Sequence, residues 1–118
     1  MRYMLLIYQD EQALKDPERE ECYEESRQLA HQLQSAGQFE AAAPLHPTTM
    51  ATSVRVRDGK RLITDGPFAE TREQLGGYFL VNANDLDEAI SIAARIPMAR
   101  KGTIEVRPVI EVTGLLME

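Results

Sequence analysis

The sequence predicts an α+β fold, with two helices on one face of a mainly antiparallel sheet. Strand-like runs and helix-periodic runs follow one another as strand, helix, several strands, helix, strand. Asp58-Gly59 sits between two β-rich runs, the signal of a tight antiparallel hairpin. Two strand-like runs, Arg2–Tyr8 and Tyr78–Ala83, are apolar on both faces, so both sides of the sheet require cover.

Residues Arg2 to Tyr8 form the expected first strand. Tyr3, Leu5 and Ile7 point one way and Met4, Leu6 and Tyr8 the other, because successive side chains alternate. In the following helix, Asp16 is the expected N-cap and Pro17 occupies the first helical position. Glu18, Glu20 and Glu21 complement the positive end of the helix dipole. Cys22, Ser26, Leu29, Ala30 and Leu33 recur at helical spacing as its buried stripe, leaving His31 on the surface, and Gly37 ends the helix. An alanine-rich strand, Phe39 to Leu45, is then broken by "PLHP".

Residues 51–57 and 60–64 flank the Asp-Gly turn. That register sets Val54 opposite Ile63 and Arg55 opposite Leu62. Past the next strand, Tyr78–Ala83, Asp85 and Glu88 form a capping box. Leu86, Ala89, Ile90 and Ala93 make a stripe that continues to Ile96, and Pro97 closes the helix. The last strand is read as Thr103 to Val112, with Ile104, Val106 and Ile110 on one face and Pro108 marking an edge or bulge. The whole is a ferredoxin-like α/β sandwich in one domain, residues 1–118. Two helices cover one sheet face, so the second is closed most simply by another copy, giving a homodimer.

Composition narrows the function. The chain has 118 residues, is 43% hydrophobic and carries a net charge of −6. That charge argues against nucleic acid, where Lys and Arg neutralise phosphates. Arg55, Arg57, Lys60 and Arg61 cluster at the hairpin tip and read first as a solvated turn. No apolar run approaches the roughly 20 residues of a bilayer span, so no membrane partner is expected. The opening "MRYMLLIYQDE" has no small-residue cleavage site and reads as a strand, not a signal peptide. Cys22 is the sole cysteine, which excludes an intrachain disulfide and suits the cytoplasm. His31 and His46 lack close-spaced partners, and no nucleotide-binding loop or nucleophile elbow is present, so neither metal nor cofactor is expected.

The segment "LITDGPFAETREQLGGYFLV" holds the chemistry. Structurally, Gly66-Pro67 make a turn that Asp65 can cap, Thr71-Arg72-Glu73-Gln74 fit the capping box of a single helical turn, and Gly76-Gly77 end it. That leaves Phe68 beside Glu70, and the cluster Asp65, Glu70 and Glu73, unexplained. Carboxylates near an aromatic in a partly buried pocket take divergent proton affinities, as acid/base catalysis requires. Asp65 is the first candidate for proton transfer or ligand anchoring, with turn capping as its structural alternative. His46 is a candidate base, otherwise a loop histidine. Phe68 could wall a pocket or pack the core. Glu70 and Glu73 could bind a cationic group or be solvated. Tyr8 and Arg107 could reach a ligand from the sheet.

"DGPFAETREQLGGYFLV" resembles the signature of the DGPF-domain group within the YCII-related family, and "MRYMLLIYQDE", "ATSVRVRDGK" and "DLDEAISIAARIPMARKGTIEVRPV" resemble its opening strand, hairpin and closing helix and strand. The resemblance implies a dimeric α+β barrel with a polar pocket. It implies no settled reaction: family members are described as possible enzymes for that pocket, and some are encoded beside sigma factors. Two classes stay open, a small-molecule-binding protein and cofactor-independent acid/base enzyme, isomerase- or lyase-like, and a non-catalytic small-molecule binder or regulatory partner linked to sigma-factor signalling. A His/Asp pair is the site proposed for the wider family. Asp65 falls in the matching motif, while Lys101 stands where many relatives carry His.

Overall fold

The computed structural model describes residues 1–115. The elements run β1 (Arg2–Gln9), α1 (Asp16–Ser35), β2 (Phe39–Pro44), β3 (Thr52–Arg57), β4 (Lys60–Asp65), β5 (Gln74–Asn82), α2 (Leu86–Arg95) and β6 (Thr103–Pro108), with 3₁₀ turns at Thr48–Met50 and Pro97–Arg100. Strands β2, β5, β1 and β6 lie side by side in that order, every neighbour antiparallel. This is the expected ferredoxin-like order, reached by two strand–helix–strand crossovers. Strands β3 and β4 form a separate ribbon inserted between β2 and β5.

The two-faced reading of β1 holds. Tyr3, Leu5 and Ile7 are buried and share one core with Leu29 and Leu33 of α1 and Ala89, Ile92 and Ala93 of α2. The register carries this face across the sheet: Leu5 lies opposite Phe79 on one side and Val106 on the other. Phe39 adds an edge-to-face contact with Phe79, ring centroids 6.5 Å apart. On the opposite face Met4, Leu6, Tyr8 and Tyr78 are half-buried, with Leu80 enclosed among them. Among the described residues no helix covers that side.

Local chemistry explains the element ends, with several corrections. Lys15, not Asp16, is the N-cap of α1, with no side-chain cap bond. Asp16 lies within the first turn and pairs instead with Arg19 at 2.6 Å. Asp85 caps α2 by accepting from Glu88 N–H at 2.9 Å, and Glu88 in return accepts from Asn84 N–H rather than from its own cap. The stripe of α2 is rotated from the expected one. Ile92 is buried with Ala89, Ala93 and Ile96, while Leu86 and Ile90 stand half exposed, so the face turned to the sheet is centred on Ala89, Ile92 and Ala93. Strand β6 is the edge strand that Pro108 suggested, and Pro108 interrupts no bond to β1: Val109 N–H still donates to Arg2 O at 2.9 Å. The strand ends at Pro108 instead of Val112, and Ile110 is exposed. Thr71–Gln74 forms no helical turn. The Thr71 hydroxyl donates to Glu73 O and the Gln74 side-chain amide to Thr71 O, which closes an irregular turn, and β5 then starts at Gln74.

The Asp58-Gly59 hairpin has the expected register, with φ of 52° and 74° at its two central residues, as a type I′ turn requires. Gly66 has a φ of 98°, a conformation that favours glycine.

The rotated stripe is testable. Ile92→Ala should cost about 2–4 kcal/mol, through a buried cavity, whereas Ile90→Ala should cost under about 1 kcal/mol. Equal losses in urea unfolding would restore the stripe expected from spacing.

Candidate functional site

The site begins with a β-bulge. Ile7 pairs with Gly77 but Tyr8 pairs with Leu75, so Gly76 is the extra residue on β5. A Cβ on Gly77 would stand 2.9 Å from the carbonyl oxygen of Ala43, and one on Gly76 2.8 Å from the Gln9 side chain. The two glycines let β2 and the end of β1 close onto β5. Leu45 N–H then donates to Gly76 O at 2.9 Å and fixes the chain leaving β2.

Beside this corner α1 presents Cys22, Ser26 and Ala30, successive small residues four apart, towards Ala42 and Ala43 of β2. Small side chains on both walls leave the surfaces apart. The result is a cleft of about 410 Å³ between α1 and the β2–β5 half of the sheet. Ile7, Leu14, Phe39, Phe79 and Met98 make its apolar interior, with Gln9, Arg19, Tyr23 and Arg27 also lining it. An adjoining recess of about 310 Å³ shares Gln9, Arg19, Tyr23, Pro44 and Gly76 and adds Glu11, Leu45, His46 and Pro47. Together they form one trough, apolar inside and polar at the mouth.

The mouth is braced. The Glu11 carboxylate accepts from Thr48 N–H at 2.8 Å and from the Thr48 hydroxyl at 2.6 Å, holding the loop that carries His46. Glu11 N–H donates to the Gln74 side-chain oxygen at 3.1 Å, so the motif's glutamine ties β5 to the end of β1. Arg19 reaches Asp16 and the carbonyl of Leu14. Burial pushes the Cys22 thiol up, opposed in part by Lys101 and Arg100, and its sulfur lies 3.8 Å from that of Met98. The raised thiol packs beside Met98 and is less readily ionised than a free one. Lys101 pairs with Glu18 at 2.8 Å. That hydrogen bond raises the ammonium and lowers the carboxyl, joining the start of α1 to the loop before β6.

The candidates from sequence fall in three places. His46 is exposed and lines the recess at the mouth. Tyr8 and Arg107 lie on the uncovered sheet face, opposite Thr103 and Met4 respectively, and Glu73 borders it, accepting from the Thr103 hydroxyl at 2.9 Å. Asp65, Phe68 and Glu70 belong to the ribbon and the loop after it. Asp65 is exposed opposite Thr52, Phe68 is 80% exposed beside Ser53, Arg55 and Arg57, and Glu70 is exposed. Within one chain Phe68 neither packs the core nor walls the trough, and Asp65 lines neither cavity. Gln9, Arg19 and Tyr23 were not anticipated. Their signal is the run of small residues along α1 facing Ala42 and Ala43, which reads as weak packing and not as a pocket. Among the described residues no three His, Cys, Asp or Glu side chains gather as a metal site, and no helix is long and apolar enough to cross a membrane.

The family model for the YCII-related domain matches residues 1–113. An uncharacterised protein of Rhizobium meliloti (strain 1021) is 38% identical over 113 residues, covering 92% of this chain and 91% of its own length.

The glycine corner separates two kinds of contact. Gly77→Ala should cost about 2 kcal/mol or more, because backbone of β2 must move, while Gly76→Ala should cost clearly less, because the Gln9 side chain can swing away. Thermal unfolding of both variants decides it; the reverse order would show that β2 and not Gln9 is the yielding neighbour.

Proposed function

The chain belongs to the YCII-related domain family, and from that premise we propose that it binds a small organic molecule in the trough between α1 and strands β2 and β5. The observation that carries this reading is the trough itself. A volume of about 410 Å³, apolar inside and continuous with a recess rimmed by Gln9, Glu11, Arg19, Tyr23 and His46, is the form of a ligand site. The ligand class that fits has an apolar body and a hydrogen-bonding head. Phe79, Phe39 and Met98 would take the body. Gln9, Tyr23 and Arg19 would orient the head.

An acid/base reaction would use His46 at the mouth, where a neutral imidazole can accept a proton from a bound head group. Asp65 is the other candidate, from the family motif, and would need to reach the site from outside the chain's own trough. Binding is therefore the primary reading and isomerase- or lyase-like chemistry a step built on it. The homodimer belongs to the same reading. Met4, Leu6, Tyr8 and Tyr78 form an apolar sheet face with no cover, and a second copy laid sheet to sheet supplies it. The single cysteine suits a reducing cytoplasm.

Anilinonaphthalene sulfonate, an apolar ring system with an anionic head, is a direct probe. Its fluorescence should rise with wild type and fall by about tenfold in apparent affinity with Ser26→Leu and Ala42→Phe together, which fill the trough, while the melting temperature is kept. Undiminished binding to the filled variant would remove the trough as the site. In sedimentation the wild type should run as a dimer at micromolar concentration and Leu6→Arg as a folded monomer; a monomeric wild type would end the dimer reading.

A further inference from the structure

The β3–β4 ribbon is unlike the rest of the molecule. Its twelve strand residues carry one half-buried side chain, Ser53, and no buried one. It has no sheet neighbour, and a lone two-stranded hairpin is marginal in water without a covered face. The radius of gyration, 16.0 Å, exceeds the roughly 13.5 Å of a compact domain of this length. A protruding arm accounts for such an excess.

The arm has two distinct faces. Alternation and register place Thr52, Val54 and Val56 of β3 with Arg61, Ile63 and Asp65 of β4 on one of them. Val54, Val56 and Ile63 are 58–60% exposed. Of the fifteen exposed large apolar side chains among the described residues, seven fall within residues 45–68, so the excess apolar surface is concentrated on the arm and its base. Such concentration marks an interaction surface.

We propose that this face of the arm docks on a second copy of the chain, so that each protomer of the homodimer grips the other and delivers Asp65 to it. The inference rests on the dimer proposed above and adds a second contact to it. Charge selects the occupant. Arg55, Arg57, Lys60 and Arg61 outnumber Asp58 and Asp65 on the arm as a whole, although the chain carries −6; Arg61 and Asp65 share the apolar face, and Arg55, Arg57 and Lys60 stand on the other. The remainder of the molecule is therefore strongly acidic. A basic arm finds its complement on another copy of this chain, and two-fold symmetry makes the contact twice.

The arm also accounts for the position of the motif. Asp65 closes β4 on the docking face, two residues from Ile63. Ser53 donates to the carbonyl of Gly66 at 2.7 Å and Gly66 N–H to Ala51 O at 2.7 Å, which fixes the base of the arm. A carboxylate that lines neither part of the trough in its own chain is thereby aimed, at a rigid root, into the partner. It acts in trans.

Two measurements on the full chain test this. Val54→Glu with Ile63→Glu should raise the dimer dissociation constant in sedimentation on the order of a hundredfold, since each change counts twice, and Arg61→Glu should raise it about tenfold at low salt. Asp65→Cys in a Cys22→Ser background should be alkylated roughly tenfold more slowly at dimer than at monomer concentrations. If Leu6→Arg yields monomers but the Val54/Ile63 variant dimerises as tightly as wild type, with Asp65→Cys labelled equally fast in both states, the arm contact is overturned and the sheet-face dimer stands. A wild type that stays monomeric overturns both. Slowed labelling that appears only when duplex DNA is added also overturns the inference, in favour of nucleic acid as the occupant.

Discussion

Strand β1 has no polar face to offer to water, and the architecture follows from that. Its odd-numbered side chains, Tyr3, Leu5 and Ile7, are enclosed by both helices and by β5 and β6. Pairing on both edges, with β5 and β6, makes it central to the sheet. The same alternation leaves Met4, Leu6 and Tyr8 half-covered on the far side. A central strand cannot turn one set inward without presenting the other outward. The proposed dimer is the consequence of that geometry, not an addition to it.

The trough has a different origin. Core packing normally closes any gap between a helix and a sheet, because each unfilled volume forfeits dispersion contacts. Here the residues on both walls are too small to meet. Cys22, Ser26 and Ala30 along α1 oppose the alanines of β2, while Leu29 and Leu33 one face round seal the helix to the core. The helix is thus anchored at its C-terminal half and stands off the sheet at the other. The glycine bulge sets the corner of the opening, and Glu11, bonded to Thr48, holds the loop with His46 over it.

The motif segment divides its residues between two tasks. Gln74, Gly76 and Gly77 build the sheet corner and the mouth of the trough. Asp65, Gly66 and Pro67 end the ribbon. The long connection is chemically dense because it anchors an arm at one end and a bulged strand at the other, each with its own backbone demands. On the proposed reading the arm end of the segment also meets a second copy of the chain.

Much of this was written in local sequence. Period-2 and period-3.6 spacing marked the strands and helices, Asp58-Gly59 set the hairpin register, Asp85 capped α2, and the doubly apolar runs foretold a sheet needing cover on both sides. Those signals are local because alternation, turn chemistry and caps depend on neighbours a few residues away. The motif Thr71-x-x-Gln74 misled for the same reason, since its capping pattern is also compatible with an irregular turn once β5 claims Gln74 for pairing with Gln9. Tertiary structure alone decided the rest. Whether Ile90 or Ile92 faces the core depends on the angle at which α2 meets the sheet. Whether Cys22, Ser26 and Ala30 pack or line a cavity depends on which residues stand across from them, and those are Ala42 and Ala43, on a different element, whose approach is limited by Ile7, Phe79 and the Gly76 bulge. A gap is a property of two surfaces, so no single stretch of sequence contains it.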